Sequence, residues 1–344
     1  MDGAVQNPQD RAVSVVMSVY NAERYVAEAT ESILNQTFED FEFIIIDDGS
    51  TDKSLKILER YAKQDDRIRL ISRANRGLAA SLNEGIELAR APLIARMDAD
   101  DVSLPERLDK QVAYMAHHTE CVALGTGKEV IDGKGRLLTR NPSEHCCHDA
   151  ITDGLMRGKC WMIHPSTMLR KDMVRRIYGY RPEFRVAQDY DLWLRLSEVG
   201  ELANLPEPLI RYREHSQSVS TRHAVEQLEL ARHAFEEACK RRGIAGTFEL
   251  TLYREGGRTR SEARTWSYGH CRGIWLLTLE AGRWSTAFVY AWKCVAIKPW
   301  RPGAWWHVAK TLVVWGRHAV RNRFSASSSI SGTLMSDEPT EKAK

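Results

Sequence analysis

The chain has 344 residues, 43% of them hydrophobic and 28% charged, with a formal net charge of +3. These values fit a soluble globular protein of about two domains, and they exclude wholesale disorder, a collagen-like repeat and a polytopic membrane protein. The small total charge gives no basis for nucleic-acid binding, but it hides a division: residues 258–323 hold twelve Lys/Arg against Glu262 and Glu280, while residues 1–257 hold 35 Lys/Arg against 41 acids.

Residues 1–11 are polar and carry no apolar signal-peptide core, so they read as a flexible N-terminus. Val13–Val19 is a short run rich in valine that predicts a strand buried on both faces. Asn21 then reads as the cap of a helix with Ala22, Val26, Ala29 and Ile33 on one side. Phe41–Ile46 predicts a second strand, which stops at the turn-forming cluster Asp47-Asp48-Gly49-Ser50-Thr51-Asp52. Asp52 reads as the cap of a polar helix reaching about Ala62. A strand at Ile68–Ile71, a helix over Leu78–Arg90, a strand at Leu93–Met97 and a helix opening near Pro105 follow.

Alternating strands and helices imply a parallel sheet with right-handed crossovers, in which ligands bind at the carboxyl ends of the strands. The polar clusters fall at those ends: Ser18–Asn21, Asp47–Ser50 and Asp98–Asp101. No GxGxxG follows the first strand, which argues against a dinucleotide-binding dehydrogenase. Asp98-Ala99-Asp100-Asp101 packs three carboxylates into four positions, which calls for a neutralising cation. A hard divalent ion, Mg²⁺ or Mn²⁺, takes oxygen ligands and can also bind substrate phosphates. Asp47 and Asp48 supply acceptors suited to a nucleoside, and Gly49 allows close backbone approach.

These residues resemble family 2 glycosyltransferases. The resemblance begins with Val13–Asn21, Gln36-Thr37-Phe38 and Ile44–Asp52, and continues through Asn75-Arg76-Gly77-Leu78, Asn83-Glu84-Gly85 and Met97–Asp101. It closes with His164-Pro165-Ser166, Gln188–Trp193 and Tyr212-Arg213-Glu214-His215, covering roughly residues 12–222. The resemblance implies a GT-A fold and inverting transfer from a nucleotide-diphosphate sugar to a glycan or lipid-linked acceptor; UDP is the expected nucleotide, with dTDP and GDP open. Ser18, Tyr20, Asn21, Glu23, Asp47, Asp48, Asn75, Asp98 and Arg213 would line the donor, Asp48 being favoured for the base. Asp100 and His215 would hold the metal, and Asp189 would be the general base with Asp191 in reserve. The family usually has Glu where this chain has Gln188, which leaves acceptor identity open. His164 is expected to shape the acceptor side. A nucleotidyltransferase is the rival enzyme class, but Val19–Glu23 is not a basic Gly-rich phosphate loop. A non-catalytic nucleotide-sugar-binding module is the other alternative.

The expected organisation is a catalytic domain at 12–222, with a donor half at 12–118 and an acceptor half at 119–222. A helical basic extension at 223–323 and a disordered Ser-rich tail at 324–344 follow. Helices are expected at about 260–281, 285–297 and 302–320, and the stretch from Leu279 through Pro299 resembles one tetratricopeptide-type hairpin. Residues 258–323 contain eight of the ten tryptophans, which fits either packing or contact with a membrane surface. Seven cysteines without CxxC spacing argue against a disulfide framework and for a reducing, cytoplasmic compartment. The adjacent residues His145-Cys146-Cys147-His148 are expected to be a loop rather than a zinc site. No stretch reaches the roughly 20 apolar residues of a membrane span.

Overall fold

In the computed structural model the described residues are 11–215, 224–249 and 284–315, with Cys271, Arg272, Trp275, Leu276 and Leu279. The expected N-terminus before residue 11, the tail at 324–344 and most of the helix at 260–281 lie outside them. The chain divides into two compact units, Met1–Ala263 and Arg264–Lys344.

Four parallel strands form one side of a nine-stranded sheet. They are β1 (Val13–Val19), β2 (Phe41–Asp47), β3 (Ile68–Ser72) and β4 (Leu93–Asp98), in the order β3-β2-β1-β4. Between them run α1 (Val26–Leu34), α2 (Ser54–Ala62) and α3 (Leu78–Leu88), followed by α4 (Arg107–His117). Side chains alternate across the pleat. Val15, Met17, Phe43 and Ile45 face one core with Ile33 and Leu108, and Val16, Ile44 and Ile46 face another with Leu82 and Trp193. Burial on both faces is why these strands read as nearly continuous apolar runs.

The sheet continues through strands of mixed polarity. These are β5 (Val102–Ser103), β6 (Cys121–Asp132), β7 (Leu137–Asn141), β8 (Met168–Arg170) and β9 (Glu201–Glu214). β8 joins β4 antiparallel, and the order runs on as β8-β6-β9-β5 with β7 on β6. Three helices accompany this half: α5 (His148–Leu155), α6 (Lys171–Arg176) and α7 (Gln188–Leu196).

Two expectations are corrected. Asn21 does not cap α1. It sits in the left-handed region at φ 51°, and a turn closed by Ala22 precedes the helix. The break at 222/223 also moves: α8 (Ala224–Arg242) packs Ala231, Ala234, Phe235 and Ala238 into the core that holds Trp193, so it belongs to the first unit.

In the second unit, α9 (Trp284–Ile297) and a helix over 302–315 stand near their expected places. They share a core with Cys271, Trp275 and Leu279, and the Trp275 indole donates to Thr311 Oγ1 at 2.8 Å.

Candidate active site

Strand register brings the acidic clusters to one rim. At the carboxyl end of β1, Val19 lies opposite Asp47 of β2 and Ser18 opposite Asp98 of β4. With neighbouring strands about 4.8 Å apart, the two acids flank the end of β1, where the strand order reverses, the position at which open α/β sheets bind ligands.

On the β2 side, Asp48 Oδ1 accepts the Arg76 N–H at 2.8 Å and Oδ2 the Gly77 N–H at 2.9 Å, while Arg73 is ion-paired to Oδ1. Most of its acceptor capacity therefore goes to the loop that opens α3. Asn75 Nδ2 donates to the Asp48 carbonyl at 2.9 Å. Gly49 has φ +75°, and a Cβ there would meet the Asn75 nitrogen at 2.7 Å, so the loop closes only over glycine. Asp47 Oδ2 accepts the Ser72 hydroxyl at 3.0 Å, but its buried Oδ1 has no hydrogen-bond partner among the described residues.

Asn21 and Glu23 are turned away from the donor role expected of them. Asn21 Oδ1 accepts the Thr51 N–H at 2.8 Å, and Glu23 Oε2 accepts the Lys53 N–H at 3.0 Å. Asp52 returns the bond by accepting the Glu23 N–H at 3.0 Å, and it also accepts the Ser54 N–H at 2.9 Å. These side chains lace two loops of the rim together. Ser18 is half-buried and Tyr20 exposed at the same rim.

On the β4 side, one carboxylate oxygen from each of Asp98, Asp100 and Asp101 lies within 4.8 Å of the others. Buried Arg96 pairs with Asp98 from the same face of β4. Burial raises the Asp98 pKa; Arg96 opposes this and Asp100 adds to it. Burial, with Asp100 and Asp98, pushes Asp101 well up. Asp101 Oδ1 accepts the Arg213 N–H at 2.8 Å, and its buried Oδ2 has no hydrogen-bond partner among the described residues. His215 Nε2 lies 2.8 Å from Asp100 Oδ2. An all-oxygen trio with an orphaned buried oxygen fits a hard divalent cation.

Arg213 was expected to face phosphate. Its guanidinium instead donates to the Asp100 carbonyl at 2.7 Å, the Asp132 carbonyl at 3.3 Å and Glu28 Oε2 at 2.6 Å. It is buried and holds the acidic loop in place.

Asp189 stands in the first turn of α7, after Ala187 at φ 61°, and its Oδ1 accepts the Tyr190 N–H at 2.8 Å. Burial raises its pKa; Arg96 opposes the rise and Asp98 adds to it, so Asp189 shares the electrostatic field of the β4 acids. Asp191 is excluded as a reserve base. It is fully buried and ion-paired to both Arg181 and Arg195.

A family model described as glycosyl transferase family 2 matches residues 14–178. The O-antigen biosynthesis glycosyltransferase WbnJ of Escherichia coli is 36% identical over 245 residues, covering 70% of this chain and 94% of WbnJ. The chain is a family 2 glycosyltransferase. Two solved structures share its fold. TarS 1–349 of S. aureus, solved with UDP, superposes with a TM-score of 0.54 at 16% identity, covering 88% of each chain. The mannosyltransferase PcManGT of Pyrobaculum calidifontis, solved with GDP-Man and Mn²⁺, gives 0.52 at 16% identity, covering 92% of this chain and 88% of that one. The fold is GT-A.

Arg96 and Lys128 in this glycosyltransferase were not singled out by the motifs. Arg96 stood in plain view as a charge inside the apolar strand Leu93–Met97, and a buried charge needs a partner. His164 lies in a 3-10 turn, its Nε2 2.8 Å from the Tyr180 hydroxyl, and burial, with Arg96, holds its pKa well below the ordinary value. Lys128 sits over the Tyr212 ring at 4.7 Å with its pKa lowered by burial. At the motif His145–His148, His145 stacks on Trp161 at 4.2 Å, and His148 Nδ1 accepts the Leu202 N–H at 3.1 Å.

Proposed function

We propose that this glycosyltransferase moves a sugar from a nucleotide-diphosphate donor, with UDP as the expected nucleotide, to a hydroxyl of a growing surface polysaccharide or lipopolysaccharide, inverting the anomeric centre. The cluster of Asp98, Asp100 and Asp101 at the end of β4 carries this reading, with Asp189 within their electrostatic reach. The name of WbnJ supports the polysaccharide context, and the ligands of TarS and PcManGT support a nucleotide-sugar donor.

Residues 12–118 carry the donor side and 119–222 the acceptor side. Asp47 and Asp48, on their Gly49 turn, form the base end of the donor cleft, with Ser18, Tyr20 and Asn75 along it. Asp98, Asp100 and Asp101, with His215 behind Asp100, would hold Mn²⁺ or Mg²⁺. Bound there, the ion supplies Lewis-acid neutralisation of the leaving nucleoside diphosphate. Arg213 fixes the loop that presents these carboxylates. Asp189 takes the proton from the acceptor hydroxyl as that oxygen attacks the anomeric carbon. The attack comes from the face opposite the diphosphate, so one displacement inverts the centre.

A screen of nucleotide-sugars for nucleoside diphosphate release, run with and without Mn²⁺, tests the reading. Metal-dependent diphosphate release with acceptor present supports it. Pyrophosphate release would establish a nucleotidyltransferase, and binding without turnover a non-catalytic module.

A further inference from the structure

Among its described residues, the second unit presents a broad exposed apolar face. In α9, Val289, Trp292 and Ala296 recur at helical spacing and are exposed, while Ala287, Ala291 and Cys294 are buried. A surface helix ordinarily opposes an apolar stripe with a polar one; α9 is largely apolar on both sides. In the helix over 302–315, Ala304, Val308 and Thr311 are buried, while Trp305, Leu312 and Val313 are exposed. The Trp292 and Trp305 rings meet edge-on at 5.7 Å, which joins the two exposed faces. Trp300, in the turn between the helices, is 93% exposed.

The charged residues of these two helices and the turn between them have one sign. Lys298, Arg301 and Lys310 belong to these segments, and no Asp or Glu occurs from residue 281 to 336. A second copy of the chain docked on the same face would bring like charges together, which disfavours self-association. Tryptophan prefers the headgroup level of a bilayer, and basic residues are drawn to anionic headgroups. No described helix is long and apolar enough to cross a membrane, so the fitting contact is with its surface.

We propose that the face formed by Trp292, Trp300, Trp305 and Leu312 docks on a membrane surface rich in anionic lipid headgroups. The docked unit would bring the enzyme to acceptors carried in or on that membrane. The proposal stands on the second unit and the transferase reading on the first, so each can fail without the other.

The test is flotation of the full-length chain with phosphatidylcholine vesicles, with and without phosphatidylglycerol. Binding is expected only with phosphatidylglycerol and should weaken at high salt. Trp300→Ser combined with Leu312→Ser should weaken it at least ~10-fold, and Lys298→Ala combined with Arg301→Ala by about fivefold per charge. Both variants should keep the parent's melting temperature. Failure to float with phosphatidylglycerol, or flotation unchanged in both variants, overturns the proposal. So does a concentration-dependent dimer that the apolar variant abolishes, which would assign the face to a second copy. A lowered melting temperature without vesicle binding would assign it to packing within the chain, and overturns it too.

Discussion

Arg195 reaches back one turn along α7 to Asp191, placing its Nε and Nη2 2.9 and 2.7 Å from the same carboxylate oxygen. Two residues earlier on the same helix, Asp189 has its main-chain bond from Tyr190 and shares the field of the β4 acids. The two carboxylates therefore have separable roles. Asp189→Asn keeps an oxygen for the Tyr190 N–H and should cut turnover at least ~100-fold, the scale of a lost general base. Asp191→Asn leaves the buried Arg195 without its counter-charge and Arg181 with Glu237 alone, and should cost about 3–5 kcal/mol of stability. Thermal melts beside initial rates separate the two; similar melting losses in both variants would contradict the assignment.

Burial raises the Asp189 pKa, so the folded chain binds that proton more tightly than the unfolded chain does. The ionised carboxylate is then a stability cost at neutral pH, one that vanishes as pH falls below the unfolded value of about 3.9. Asp189→Asn should accordingly be as stable as the parent, or slightly more so, at neutral pH, with the difference shrinking in acid. Denaturant titrations across pH measure this. The acid limb of the parent's kcat/KM profile should likewise lie above the ordinary carboxylate range.

Arg213 holds the Asp100 carbonyl, Glu28 and, through its own N–H, Asp101. A lysine has no planar fork to serve these partners together. Arg213→Lys should weaken Mn²⁺-dependent donor binding about tenfold, the scale of a lost supporting partner, and leave metal-free nucleotide affinity unchanged. Calorimetry with and without Mn²⁺ reads both quantities. An equal loss in both would mean that Arg213 contacts the nucleotide directly.

Gly49→Ala places a methyl group against the Asn75 main chain at a positive φ. The strain should cost about 1–3 kcal/mol and loosen the loop that Asp48 holds. Chemical denaturation and nucleotide titration check the two effects.

The parallel half of the sheet was legible because β1, β2 and β4 are buried on both faces and end in abrupt polar clusters, which are local signals. The mixed half was not, since β6 and β9 mix charged and apolar residues along their 12 and 14 positions. At the rim, residue types marked the carboxylates but not their partners. Asp189 and Asp191 look alike until Arg181 and Arg195 fold onto one of them. Asn21 and Glu23 read as donor contacts because their bonds to Thr51 and Lys53 span 30 residues. Arg213 read as a phosphate ligand because its partner Glu28 lies 185 positions away.

Asp100 offers the most direct test of the central claim that the β4 acids hold a divalent ion against a nucleotide-sugar. Calorimetry of nucleotide-sugar binding, with and without Mn²⁺, compares the parent with Asp100→Ala. The account predicts Mn²⁺-enhanced affinity in the parent and none in the variant. An identical Mn²⁺ dependence in both proteins would contradict it.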